Sequence, residues 1–205
     1  MFEQPSLFQI MVFVVSLLIA MTVHEFMHAY VGFMLGDTTA RDEGRISLNP
    51  LRHIDPMMTV ALPIITYLLF HAPILAAKPV PFTPWRLRYR EWGAALLALA
   101  GPLSNLVLAV IAALAARPLG SDSIAYEILF LFANLNIGLF LFNLIPIPPL
   151  DGSRVLYAFL PESAQEAMER IEPYGFFIVF ALVLLGGFGG ILSGAYTFFI
   201  DILFK

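Results

Sequence analysis

The chain has 205 residues, 60% hydrophobic and 13% charged, with a mean hydropathy of +0.84. Soluble domains carry roughly 25% charged residues, so an ordinary soluble domain is excluded, and one membrane-embedded domain over residues 1–205 is expected. The net charge of -4 comes without a long basic run, which excludes a nucleic-acid partner, and the absence of cysteine excludes disulfides and thiolate metal sites.

The first apolar stretch, residues 7–35, reads as one long helix closed by Gly36-Asp37. No Lys or Arg precedes it and no small-residue cleavage site is evident, so it is not expected to be a removable signal peptide. A polar segment follows over residues 37–55, with turn-formers at Asp42-Glu43-Gly44 and Asn49-Pro50. Within it Arg45-Ile46-Ser47-Leu48 alternates polar and apolar, which predicts a short β-hairpin-like segment after the first helix.

Residues 57–77 are apolar but interrupted by Pro63, His71 and Pro73, and a proline-rich connector over 78–84 leads to Arg86, Arg88 and Arg90. Two firm spans come next, residues 92–116 and 124–145. The second ends in Pro146-Ile147-Pro148-Pro149-Leu150-Asp151-Gly152. Residues 161–173 hold Glu162, Glu166, Glu169, Arg170 and Glu172 and predict a surface helix. The closing apolar tract, residues 174–204, is broken at Gly186-Gly187-Phe188-Gly189-Gly190 and predicts either a broken helix or a tight hairpin. The fold class expected is an all-α polytopic membrane protein with about four to six membrane helices.

The chemistry concentrates in the first helix. His24-Glu25-Phe26-Met27-His28 is an HExxH pattern, and on a helix positions i and i+4 share a face, so both imidazoles reach one metal ion. Glu25 stands beside the first ligand, where it can take a proton from a water that zinc has acidified to a pKa of about 7. The pattern arises by chance in many chains, but here it falls deep in an apolar helix. A charged group there costs about 2.5–3.5 kcal/mol by insertion scales, which a purely structural helix gains nothing from.

Catalytic zinc takes three protein ligands and an open position. Three residues compete for the third place. Asp151 follows a proline-rich break at the end of a span, with Gly152 allowing close approach. His53 and His71 are the rivals.

These residues resemble the site-2 protease family of intramembrane metalloproteases. The likeness is carried by His24-Glu25-Phe26-Met27-His28 in a membrane helix, Gly101-Pro102-Leu103-Ser104-Asn105, and the run from Asn143 to Asp151-Gly152. Gly36-Asp37, His53-Ile54-Asp55-Pro56 and Ala77-Lys78-Pro79-Val80-Pro81 look like its compact bacterial and archaeal branch, without PDZ or CBS modules, which implies a prokaryotic cell membrane. The resemblance implies one Zn2+ per chain held by His24, His28 and Asp151, with Glu25 as catalytic base. It also implies Asn143 as a residue that stabilises the oxyanion or seats the substrate, whereas Asn105 reads as structural.

Topology follows from the metal. His28 and Asp151 each lie near the end of a span and must meet at one depth, so both helices run toward the same face. An even number of crossings must separate them, which makes the proline-interrupted tract 57–77 re-entrant. Arg41, Arg45, Arg52, Lys78, Arg86, Arg88, Arg90, Arg154 and Arg170 then share one face against Arg117, with Lys205 unassigned. That face is cytosolic by the positive-inside rule, and the active site lies toward it.

The expected activity is hydrolysis of a peptide bond in a locally unwound transmembrane substrate, with the 45–48 strand either pairing with the extended peptide or only packing as a short loop strand. The alternatives are a membrane transporter of metal or protons, or an inactive zinc-binding relative. The sequence contains one metalloprotease-spaced cluster rather than polar residues spread along several spans, which disfavours transport.

Overall fold

The computed structural model describes residues 6–70, 78–186 and 189–205. Helix α1 (Leu7–Met34) opens with a capping box in which Ser6 and Gln9 exchange side-chain-to-backbone hydrogen bonds. Its buried face is the small and polar one: Ser16, Ala20, His24, His28 and Gly32 recur every four residues, while Phe13, Val14, Val15 and Ile19 stay outward. That pattern suits a helix with lipid on its large apolar side and protein on its small side.

After α1 come the single turn α2 (Thr39–Asp42), a π-helical turn over Pro56–Ala61 and α3 (Leu62–Phe70). Helix α4 (Arg90–Ala116) then runs between α1 and α5 (Ile124–Asn143). It buries Ala95, Ala98, Gly101, Ala109, Ala112 and Ala113, small residues that let both neighbours approach closely. Short helices α6 (Asp151–Tyr157), α7 (Glu162–Ile171) and α8 (Gly175–Leu184) follow, and α9 (Gly189–Phe204) closes the chain against α5.

One expectation is corrected. Among the described residues there is no strand, so the β-hairpin-like segment over 45–48 does not form. Its polar groups are used locally instead. The Arg45 guanidinium turns inward and donates to the Lys78 carbonyl at 2.6 Å, the Ser47 amide donates to the Arg45 carbonyl, and His53 Nε2 donates to the Ser47 carbonyl at 2.7 Å. Side chains thus satisfy groups that a partner strand would otherwise take.

Helices α1, α4 and α5 are each long and apolar enough to cross a membrane, among the described residues. In the tract after Asp55, α3 has nine residues, about 14 Å at 1.5 Å per residue and half the hydrocarbon thickness. The expected re-entrant path includes residues 71–77, with His71 and Pro73, which lie outside the described residues. The flanks are described: the Lys78 amide donates to the His53 carbonyl at 3.1 Å, so the chain leaves and returns at one place.

Gly175, at the start of α8, lies against Pro148 just beyond the end of α5. Phe204, at the end of α9, stacks edge-on with Phe130 and Tyr126 near the start of α5. The last tract therefore runs from one end of α5 to the other in two helices. A packed hairpin would have returned it to its starting end.

Candidate metal centre

The first donors come from α1. His24 Nε2 and His28 Nε2 are 2.9 Å apart on one face, one turn from each other, with both residues buried. Asp151 comes from the first turn of α6. Its two carboxylate oxygens stand 3.2 Å from His24 Nε2 and 3.4 Å from His28 Nε2. One atom from each of the three residues falls within a 4.8 Å group.

Local sequence explains why Asp151 arrives there. The prolines between Ile145 and Leu150 end α5 and free the backbone to turn, and α6 restarts at Asp151. Gly152 is then pressed onto the end of α5, where an added Cβ would stand 2.2 Å from the Leu144 carbonyl oxygen. Nothing larger than glycine brings α6 that close.

The third wall is α4. At Gly101 an added Cβ would lie 2.4 Å from His28 Nε2 and 2.6 Å from His24 Nε2, so glycine keeps the space between the imidazoles open. Next along this helix, Pro102 removes the amide that the Ala98 carbonyl would otherwise receive. One residue earlier the Leu97 carbonyl accepts from His28 Nδ1 at 2.8 Å. A carbonyl only accepts, so the proton sits on Nδ1 and His28 Nε2 presents a lone pair to the centre.

Two imidazole nitrogens and a carboxylate thus converge as bases on a cleft that a side chain on residue 101 would fill. That donor set fits a zinc ion with an open fourth position. Chain and chemistry agree with the comparisons. The profile of peptidase family M50 matches residues 118–186. Three relatives share the designation "putative zinc metalloprotease". YwhC of Bacillus subtilis is 36% identical over 186 residues, covering 85% of this chain and 82% of YwhC. The chain belongs to peptidase family M50, the site-2 protease family.

Two further relatives are more distant. MJ0611 of Methanocaldococcus jannaschii is 32% identical over 161 residues, 76% of this chain and 75% of its own. Rip2 of Mycolicibacterium smegmatis is 29% identical over 169 residues, 82% of this chain but 64% of its own length. No solved structure matches significantly. M50 membership makes zinc the metal of this centre's family.

Glu25 is buried beside His24, and its carboxylate has no hydrogen bond or ion pair among the described residues. Asn143 donates its amide to the Leu139 carbonyl of its own helix at 2.9 Å and is not part of the converging group. His53 is engaged with Ser47 and does not join it either. Sequence reasoning underrated Asn105. It is fully buried, and its Oδ1 lies 2.6 Å from His24 Nδ1. The signal was available: Asn105 is the polar residue one helical turn beyond Gly101 on the same face of α4.

Proposed function

We propose that this chain is an intramembrane zinc endopeptidase that hydrolyses a peptide bond in a locally unwound transmembrane segment, with His24, His28 and Asp151 holding the metal and Glu25 as general base. The single observation that carries it is the convergence of those three donors on the membrane helix α1. His28 lies six residues before the helix end at Met34, about 9 Å at 1.5 Å per residue. The site is below the membrane face yet close enough for water to arrive from that side.

Zinc, when bound, supplies Lewis acidity to the attacking water and the scissile carbonyl. The residues do the rest. Buried beside His24, and without a hydrogen-bond partner among the described residues, the Glu25 carboxylate takes a proton from the attacking water. It returns that proton to the amine nitrogen as the C–N bond breaks. Asn143 has an Oδ1 with no partner among the described residues, available to accept from an extended substrate amide. Its Nδ2 would reach an oxyanion only on leaving the Leu139 carbonyl.

The substrate must expose its backbone, because a peptide bond within a regular helix is shielded by its own hydrogen bonds. The cations gathered on the face where α1 ends support a centre on the cytosolic side of a prokaryotic membrane. The deciding experiment is peptide-bond cleavage in detergent or vesicles by wild type and Glu25→Gln. The variant is expected to hold one zinc per chain and to cleave nothing. Wild-type cleavage by Glu25→Gln would overturn the assignment of the base.

A further inference from the structure

We propose that Asn105 and Asn136 form a proton-orienting relay, in which two helix carbonyls fix the tautomer of His24 so that its Nε2 faces the metal position as a lone pair. The inference rests on the reading of His24 as a metal ligand and adds two positioning residues to it.

The relay begins where hydrogen-bond direction is not negotiable. The Phe132 carbonyl of α5 can only accept, and Asn136 Nδ2 lies 2.8 Å from it. Asn136 therefore turns its Oδ1 the other way, to 2.9 Å from Asn105 Nδ2 on α4. A second fixed acceptor, the Ala20 carbonyl of α1, lies 3.4 Å from the same Asn105 nitrogen. Both amide hydrogens of Asn105 are then committed, and its Oδ1 is what remains to face His24 Nδ1 at 2.6 Å. An amide oxygen carries no hydrogen, so the bond forms only if Nδ1 holds the imidazole proton.

The alternative arrangement is shut out. Turning Asn105 over would set its oxygen against Asn136 Oδ1 and the Ala20 carbonyl, three acceptors with no hydrogen among them. It would also present an N–H to His24 Nδ1 and push the imidazole proton onto Nε2, where it would block the ligand position. Bulk solvent does not reach such a mismatch, because Asn105 and Asn136 are both 0% exposed. His28 reaches the same end without a relay, since its Nδ1 bonds the Leu97 carbonyl directly. The two ligands are thus oriented by different means, and that asymmetry separates a relay from general packing.

The test uses the full chain in detergent. Zinc affinity is measured by chelator competition, and the tautomers of the four histidines by 15N NMR of zinc-free protein. Asn105→Leu is expected to weaken zinc binding about 10–100-fold, the range for lost outer-shell partners. It should shift His24 from the Nδ1–H form toward a mixture while leaving His28 unchanged. Asn136→Leu should act in the same direction but less. Asn136→Asp should restore binding, because a protonated carboxyl still accepts from Asn105 and donates to Phe132. Combined with Asn105→Leu, Asn136→Leu should add nothing further. If Asn105→Leu does not fold, the Asn136 pair decides alone. Unchanged affinity and tautomer, equal disturbance of His24 and His28, or no rescue by Asn136→Asp would overturn the relay. If wild type takes up no zinc, or His24→Ala retains it, the ligand assignment is at fault and the relay falls with it.

Discussion

Between the two imidazoles the space is held open by the absence of one methyl group. A Cβ at residue 101 would occupy the position shared by His24 and His28 Nε2. Gly101→Ala is therefore expected to lower zinc affinity by more than about 100-fold, beyond the range of outer-shell changes. Gly138→Ala is the matched control, because an added Cβ there meets nothing within 4 Å and alanine favours the helix. Elemental analysis of both variants checks the contrast, and zinc retained by Gly101→Ala would contradict it. By the same measurement Asp151→Ala should lose zinc and His53→Ala should keep it, since the His53 ring is bonded to the Ser47 carbonyl instead.

An element can be misplaced without losing any ligand. Helix α6 carries Asp151 to the centre only because Gly152 sits on the Leu144 carbonyl, 2.2 Å from where a Cβ would be. Gly152→Ala must push α6 away from the end of α5. Overpacking of this kind costs about 1–3 kcal/mol. The variant should melt at a lower temperature, and added zinc should raise its melting point less than it raises that of wild type. A melting point and zinc response equal to wild type would mean that α6 is not held by this contact. Helix α1 depends on small residues in a similar way. A Cβ at Gly32 would come within 2.9 Å of Leu97, the residue whose carbonyl orients His28.

For the whole molecule, orientation follows from where the described segments meet. Asp37, just beyond α1, accepts from the amides of Thr39 and Thr83, and the two threonine hydroxyls are 2.8 Å apart. The Arg88 amide also donates to the Leu35 carbonyl. The loop after α1 and the connector before α4 are therefore on one face. Lys205, which the sequence left unassigned, shares a shallow cleft with Arg117 and Tyr126 at the opposite end. The cation count becomes nine against two, which favours the cytosolic orientation under the positive-inside rule. Because the chain has no cysteine, single cysteines can be introduced at exposed Arg41 and Arg86 without disturbing the Asp37 contacts. An impermeant maleimide should label both from the cytosolic side, and a cysteine at Ser121 from the other. Labelling of Arg41→Cys and Arg86→Cys from opposite sides would refute this topology.

The sequence by itself determined the membrane class and the HExxH pair, because apolar composition and the four-residue helical period are local properties. It also offered Asp151, with its proline-rich break and Asp-Gly at a span's end, as one of three candidates for the third ligand, and only the family resemblance favoured it over His53 and His71. Residues 45–48 misled it. Alternation alone predicts a strand, whereas the fold buries Arg45 against the Lys78 carbonyl, and nothing in the local pattern announces a partner 33 residues away. The relay was equally out of reach. Asn105 and Asn136 are 31 residues apart, and only the packing of α1, α4 and α5 brings both amides into line with His24. Which groups are local is written in the chain; which acceptor each buried hydrogen finds is decided only when three helices close around it.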